Sequence, residues 1–254
     1  MLRTIGSMMV DVLLLRPRIF SAFRDHPAGF RRGVGWLVIF TLIANLSVFA
    51  VDLAERMKPE ADAIAEARQA MEEALQQMRQ FMPPGNLPPE FDEQFEQDFE
   101  AGLRMGMEIA GLPTVLPKPV SAFLEALGRW LSSPFRRLGG WLFYALWVML
   151  VARLLGGQGS LRGFLAASSL YSVPHVADIL SPVPCLGTAI TWVTTVWGWI
   201  IYIKAIAVAH GWDQDGRTDW ARAVAAAVIP ALGAAILAFI AALIVGLMVA
   251  LAAL

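Results

Sequence analysis

The sequence predicts an all-α fold: a five-span transmembrane helical bundle with an extramembrane helical hairpin inserted between spans 1 and 2. Three observations predict it. Apolar stretches run from Gly33 to Val51, Leu138 to Leu155, Gly163 to Pro182, Leu186 to Ala209 and Ala221 to Leu254, and each is close to or beyond the ~20 residues a helix needs to cross a hydrocarbon core about 30 Å thick. The chain of 254 residues is 57% hydrophobic, with a mean hydropathy of +0.58, more than a soluble domain needs to fill a core. Its formal net charge of −1 hides a segregation by sign. Before Gly33, Arg3, Arg16, Arg18, Arg24, Arg31 and Arg32 face only Asp11 and Asp25, whereas from Asp52 to Ala110 fourteen carboxylates face five cations.

Residues 1–32 form a basic segment. Ile5, Met8, Met9, Val12 and Leu13 recur at three- and four-residue intervals, the pattern of an amphipathic helix that lies either in the headgroup region of an anionic leaflet or on the protein's own bundle. No cleavable secretory signal is read here: the apolar run Met8 to Leu15 is short, contains Asp11 and leads into Arg16-Pro17-Arg18. Residues 33–51 are the first span. Because cytoplasmic loops favour Lys and Arg, the N-terminus is expected in the cytoplasm, the acidic insert outside and the C-terminus, after five spans, outside as well. The predicted location is the cell membrane.

Residues 52–112 are the acidic insert. Met57, Ile64, Met71 and Met78 repeat at seven, and Ala67, Ala74 and Phe81 add a second position to the seam. Pro83-Pro84-Gly85-Asn86-Leu87-Pro88-Pro89 forbids helix. Beyond it Phe91, Phe95, Phe99, Leu103 and Met107 are spaced at four, a single apolar stripe on an acidic rod. The expectation is a helical hairpin whose stripe either packs within the hairpin or holds a protein partner or a second copy. Residues 113–137 follow, with Val120, Phe123, Leu124, Leu127, Trp130 and Leu131 on one side of a helix suited to the membrane surface.

Residues 138–254 hold spans 2–5. Pro174, with Pro182 and Pro184 after it, predicts a kinked or incomplete third span. Ionisable residues in such segments are candidate sites. Arg153, Arg162 and Lys204 fall toward the cytoplasmic boundary, where long side chains reach the headgroups. His175 and Asp178 sit near the outer end, and Arg136 and Arg137, at the outer start of the second span, are the expected partners of Asp178, forming a candidate polar cluster. In the fifth span Ala234, Ala238, Ala242, Gly246 and Ala250 make a row of small residues at four-residue spacing, a face on which another helix or a second copy can seat.

Several function classes find no support. There is no HExxH zinc motif, no GxSxG nucleophile elbow and no phosphate loop; Gly156-Gly157-Gln158-Gly159-Ser160 lacks the lysine. Cys185 stands alone, so neither an intrachain disulfide nor a cysteine zinc site can form. A sequence pI near 6.3 gives no nucleic-acid surface. No catalytic, cofactor or metal site is expected.

Three stretches resemble the bacterial branch of the Yip family of multi-pass membrane proteins: LLLRPRIFSAFRDHP, GGQGSLRGFLAASSLYSVPH and WGWIIYIKAIAVAHGWDQDGRTDWARAVAAAVIP. The resemblance implies five spans, a cytoplasmic N-terminus and an outward C-terminus. Eukaryotic members act in traffic between endoplasmic reticulum and Golgi and bind Rab GTPases. This chain lacks their Asp-Leu-Tyr-Gly-Pro element, so Rab binding is not implied, and the family supplies no catalytic residues. The expected function is a non-enzymatic membrane-organising or trafficking-like scaffold that binds protein partners or lipids; the alternative is a small-molecule transporter or channel with its site at the broken third span.

Overall fold

The computed structural model describes residues 2–58, 65, 69–74, 76–77, 97–102, 104–105, 116–214 and 217–252. The described chain is almost wholly helical: α1 (Leu2–Leu13), α2 (Pro17–Asp25), α3 (Gly29–Ala44), α4 (Leu46–Met57), α5 (Lys118–Leu154), α6 (Leu161–Ser168), two 3₁₀ helices (Ser169–Ser172 and Pro174–Leu180), α7 (Leu186–Ala209), a two-residue hairpin of β1 (Asp213–Gln214) and β2 (Arg217–Thr218), and α8 (Trp220–Ala252). Among the described residues, three helices are long and apolar enough to cross a membrane, namely α5, α7 and the Trp220–Gly246 part of α8, and α3 with α4 makes a fourth if the bent pair is one span.

The bend interrupts the expected first span. Asn45 caps α3, its side-chain Nδ2 donating to the Thr41 carbonyl at 2.8 Å, and the helices meet at 40°. An amide side chain that bonds the preceding turn competes with the backbone ladder. The second difference runs the other way: where the sequence separates an interfacial helix from the second span, α5 is continuous through Pro134. Proline removes the N–H that the carbonyl of Trp130 would accept, and the Ser133 hydroxyl donates to that carbonyl at 2.8 Å instead.

The third apolar segment is not a continuous α-helix. After eight α-helical residues it tightens to 3₁₀ geometry from Ser169 to Leu180. Pro174 is one cause. The serines are another, because the hydroxyls of Ser169 and Ser172 donate to the carbonyls of Ala166 and Ser169, each at 2.8 Å, and occupy acceptors of the ladder.

The chain divides into two compact units, Met1–Phe49 with Arg129–Leu254, and Ala50–Gly128. In the first, α7 is the central helix. One side of it, Tyr202 and Ile206, packs with Trp141, Ala145, Val148 and Ala152 of α5, Phe164 of α6 and Ala223, Ala226 and Ala227 of α8. The other side, Ile201, Ala205 and Val208, packs with Val12, Phe20, Phe23, Phe40 and Leu170. Met8, Met9 and Leu13 of α1 join this second cluster, so the N-terminal helix lays its apolar stripe on the protein's own bundle. In the second unit Arg56 bonds Asp52 at 3.1 Å and Glu125 at 2.5 Å.

The expected hairpin lies mostly outside the described residues, as do Phe91, Phe95 and Leu103; Phe99 is half-buried within a described helical stretch. The row Ala234, Ala238, Ala242 and Gly246 is exposed along α8, with the side chain of Ala250 outside the description.

Candidate functional site

Beside the 3₁₀ segment the helices leave a cavity of about 160 Å³, lined by Trp141 and Tyr144 of α5, Tyr171 and His175 of the 3₁₀ helices, and Thr195, Gly198, Trp199 and Tyr202 of α7. The sequence places these rings simply. Trp141 and Tyr144 are three apart on one face of α5, Trp199 and Tyr202 three apart on α7, and Tyr171 and His175 four apart across Pro174. Gly198 allows the approach of the broken segment: a Cβ there would lie 3.0 Å from His175 Nε2 and 3.3 Å from the Tyr171 carbonyl oxygen.

The rings meet at varied angles, Tyr144 and Tyr202 lying 5.7 Å apart and tilted at 42°. Tyr144 and Trp199 are 5.7 Å apart at 78°, Tyr171 and Tyr202 6.0 Å apart at 87°, and Trp199 and Tyr202 6.3 Å apart at 69°. The Tyr144 hydroxyl donates to the Ala227 carbonyl of α8, which fixes its ring. The Tyr202 hydroxyl is buried and has no hydrogen-bond partner.

His175 and Asp178 meet as their three-residue spacing predicts, His175 Nδ1 lying 2.7 Å from Asp178 Oδ2. The remainder of the expected polar cluster differs. The second oxygen of Asp178 accepts from the Thr194 hydroxyl at 2.5 Å, and no ion pair joins it to Arg136 or Arg137. Arg136 is exposed. Arg137 turns to Tyr171, its Nε donating to the phenol oxygen at 3.2 Å and its guanidinium carbon 5.4 Å from the ring centroid. A neutral hydroxyl and an imidazole satisfy the carboxylate locally, so the arginine is left for the ring face. Among the described residues no cluster of metal-ligating side chains occurs.

A second, polar cleft of about 610 Å³ lies where α2, the α5–α6 loop and the α7–β1 turn meet, lined among others by Arg24, Asp25, Ser160, His210 and Arg222. Arg24 bonds Asp25 through both Nε and Nη2, and its Nη1 donates to the Val208 carbonyl at 2.8 Å; that pairing holds the Asp25 carboxyl below its ordinary value. Ser160 caps α6, its hydroxyl accepting from the Gly163 amide at 3.1 Å. His210 is 2% exposed. Its Nδ1 accepts from the Gly159 amide at 3.3 Å, while Nε2 has no partner.

Burial, and then the charge of Arg153, pushes the His210 pKa down to about 4. The unfolded chain takes up a proton near the ordinary value of about 6.5. Between these values the unfolded state holds more protons, so stability falls as pH falls. At pH 5 the expected loss is about 2 kcal/mol relative to pH 7.5. Thermal unfolding in detergent checks it: the midpoint drops across this window in the natural chain, and the drop shrinks in His210→Gln, whose side-chain oxygen can still accept from Gly159.

Lys204 was expected to reach the headgroups; instead it is buried, and its ammonium donates to Asp213 at 2.9 Å and to the Thr218 hydroxyl at 2.7 Å. Arg153 is exposed, as a position near the boundary requires, and donates to the Gly159 carbonyl at 3.0 Å. No protein-family model, curated protein or solved structure matches the chain.

Proposed function

We propose that the protein is a non-enzymatic, multi-pass protein of the cell membrane, of the Yip type, that organises the bilayer by binding a lipid or lipid-like ligand in the aromatic cavity beside its broken third segment. In this reading the N-terminus is cytoplasmic and the C-terminus outside, and the acidic residues 52–112 contact a protein partner. The observation that carries the proposal is the cavity itself. Its walls are aromatic and the His175–Asp178–Thr194 group at its edge is already internally satisfied. Such walls bind and orient. The exposed apolar surface of α8 supports a membrane setting.

A photoreactive phospholipid carried into bilayers with the purified protein tests the reading. Saturable labelling of the peptides that hold Tyr171 and Trp199, suppressed by unlabelled lipid, is expected; labelling confined to α8 would overturn it. The broken segment and its His–Asp pair favour one second reading, a small-molecule transporter. Solute flux in the same vesicles, abolished in a His175→Ala, Asp178→Ala double variant, would replace the scaffold with it.

A further inference from the structure

We propose that the cavity takes a zwitterionic headgroup of the phosphocholine type, its methylated ammonium held among the rings of Tyr144, Trp199 and Tyr202 and its anionic group on Arg137. This names the ligand class for the site described above and rests on that reading.

The argument starts from the solvent. In a bilayer the lipid tails are as apolar as the cavity wall, so an apolar occupant gains little by leaving them. What the wall offers beyond hydrocarbon is the negative faces of aromatic rings. Trp199 crosses Tyr144 at 78° and Tyr202 at 69°, while Tyr144 and Tyr202 are tilted at 42°, so the three rings do not stack on one another and together wall one side of the cavity with aromatic surface. A cation shielded from water against ring faces is strongly held, and quaternary ammonium groups, whose charge is spread over methyls, suit this setting. The volume of about 160 Å³ is below the range of drug-sized pockets and fits one small headgroup. The unpartnered Tyr202 hydroxyl is a buried polar group that only an occupant of the cavity or a water can satisfy.

Arg137 narrows the choice. It lies one helical turn before Trp141 on the same face of α5, with its guanidinium over Tyr171. Among the described residues it forms no ion pair. A bare cation would meet this charge and be repelled, whereas a ligand with an anion beside its ammonium places one group on Arg137 and the other among the rings. The Asp178 carboxylate, one hydrogen bond from His175 in the wall, adds negative potential to the cavity.

Titration calorimetry on the full chain in phosphatidylglycerol nanodiscs, with phosphocholine as the probe, tests the proposal. Saturable binding is expected. Trp199→Leu, at a position 40% exposed where the substitution spares the fold, should weaken it at least about tenfold, while Trp199→Phe, which keeps a ring face, should cost at most about threefold. Arg137→Gln should weaken phosphocholine about tenfold and leave choline binding equal or stronger. Equal effects of Leu and Phe at position 199, or inorganic phosphate binding as tightly as phosphocholine, would overturn the assignment. A second arm uses phosphatidylcholine nanodiscs: loss of the phosphocholine isotherm there identifies the lipid headgroup as the source, and an unchanged isotherm identifies the free molecule. If photoreactive lipid labels the cavity but neither phosphocholine nor phosphatidylcholine competes, the headgroup assignment fails while the lipid-binding reading survives; absence of both signals defeats both.

Discussion

Lys204→Met is expected to lower the thermal midpoint in detergent by roughly 6 to 20 °C. Lys204 and Asp213 have side chains only 6% and 5% exposed. The Lys204 ammonium also donates to Thr218, whose hydroxyl donates in turn to Asp213 at 2.6 Å, and it lies 5.6 Å from the Trp220 ring centroid. Asp213 and Thr218 are the outer pair of the β1–β2 hairpin, so this clasp fixes the turn that delivers α8 from α7. Removing the cation leaves a buried carboxylate whose remaining partner is a hydroxyl, and breaking a buried pair from one side costs about 3–5 kcal/mol. The sign reverses if nothing charged is left behind. A Lys204→Met, Asp213→Leu, Thr218→Val triple variant should recover most of the loss. A single variant that melts with the natural chain would mean that water already reaches the pair.

Whether such features could be read from the sequence depended on how far apart in the chain their parts lie. The three helices able to span were legible because apolar length is a local property, and so was the break at Pro174, because a missing N–H acts within its own turn. His175 and Asp178 were legible as neighbours for the same reason: three residues on a helical path bring side chains together. Thr194 was not, because a threonine on an apolar helix gives no sign that a carboxylate sixteen residues earlier will need its hydroxyl. Lys204 was misplaced at the headgroups because its partners lie beyond the end of α7, in a hairpin of two-residue strands too short to show a period. The aromatic cavity was invisible for a further reason. Each pair of its rings follows ordinary helical spacing, and only the packing of α5, α7 and the 3₁₀ segment distinguishes a lined cavity from a core. The continuity of α5 through Pro134 turned on one serine hydroxyl placed to replace the lost N–H.

The second large effect falls on a glycine pair that sequence alone cannot separate. Gly33 and Gly35 both stand in α3, where alanine is favoured over glycine by about 1 kcal/mol. A Cβ on Gly35 meets nothing within 4 Å, whereas one on Gly33 would lie 2.2 Å from the Ser169 hydroxyl oxygen, 3.0 Å from Ser169 Cβ and 3.3 Å from the Ala166 carbonyl oxygen. Ser169 is fully buried, and its hydroxyl is committed to that carbonyl, so it cannot swing aside without orphaning a polar group in a dry interface. Two of the three obstructing atoms belong to backbone or to Cβ, which move only if the 3₁₀ segment moves. Gly33→Ala is therefore expected to destabilise by about 1–3 kcal/mol, and Gly35→Ala to stabilise by up to about 1 kcal/mol. Opposite shifts of the thermal midpoint measure it. Adding Ser169→Ala to Gly33→Ala removes the nearest atom but leaves the Cβ contact, so it should restore only part of the loss. Because the broken segment that carries Tyr171 and His175 is seated on α3 at this point, Gly33→Ala should also weaken ligand binding in the cavity, an effect Gly35→Ala should not share; equal shifts for the two variants would mean that α3 does not approach Ser169 this closely.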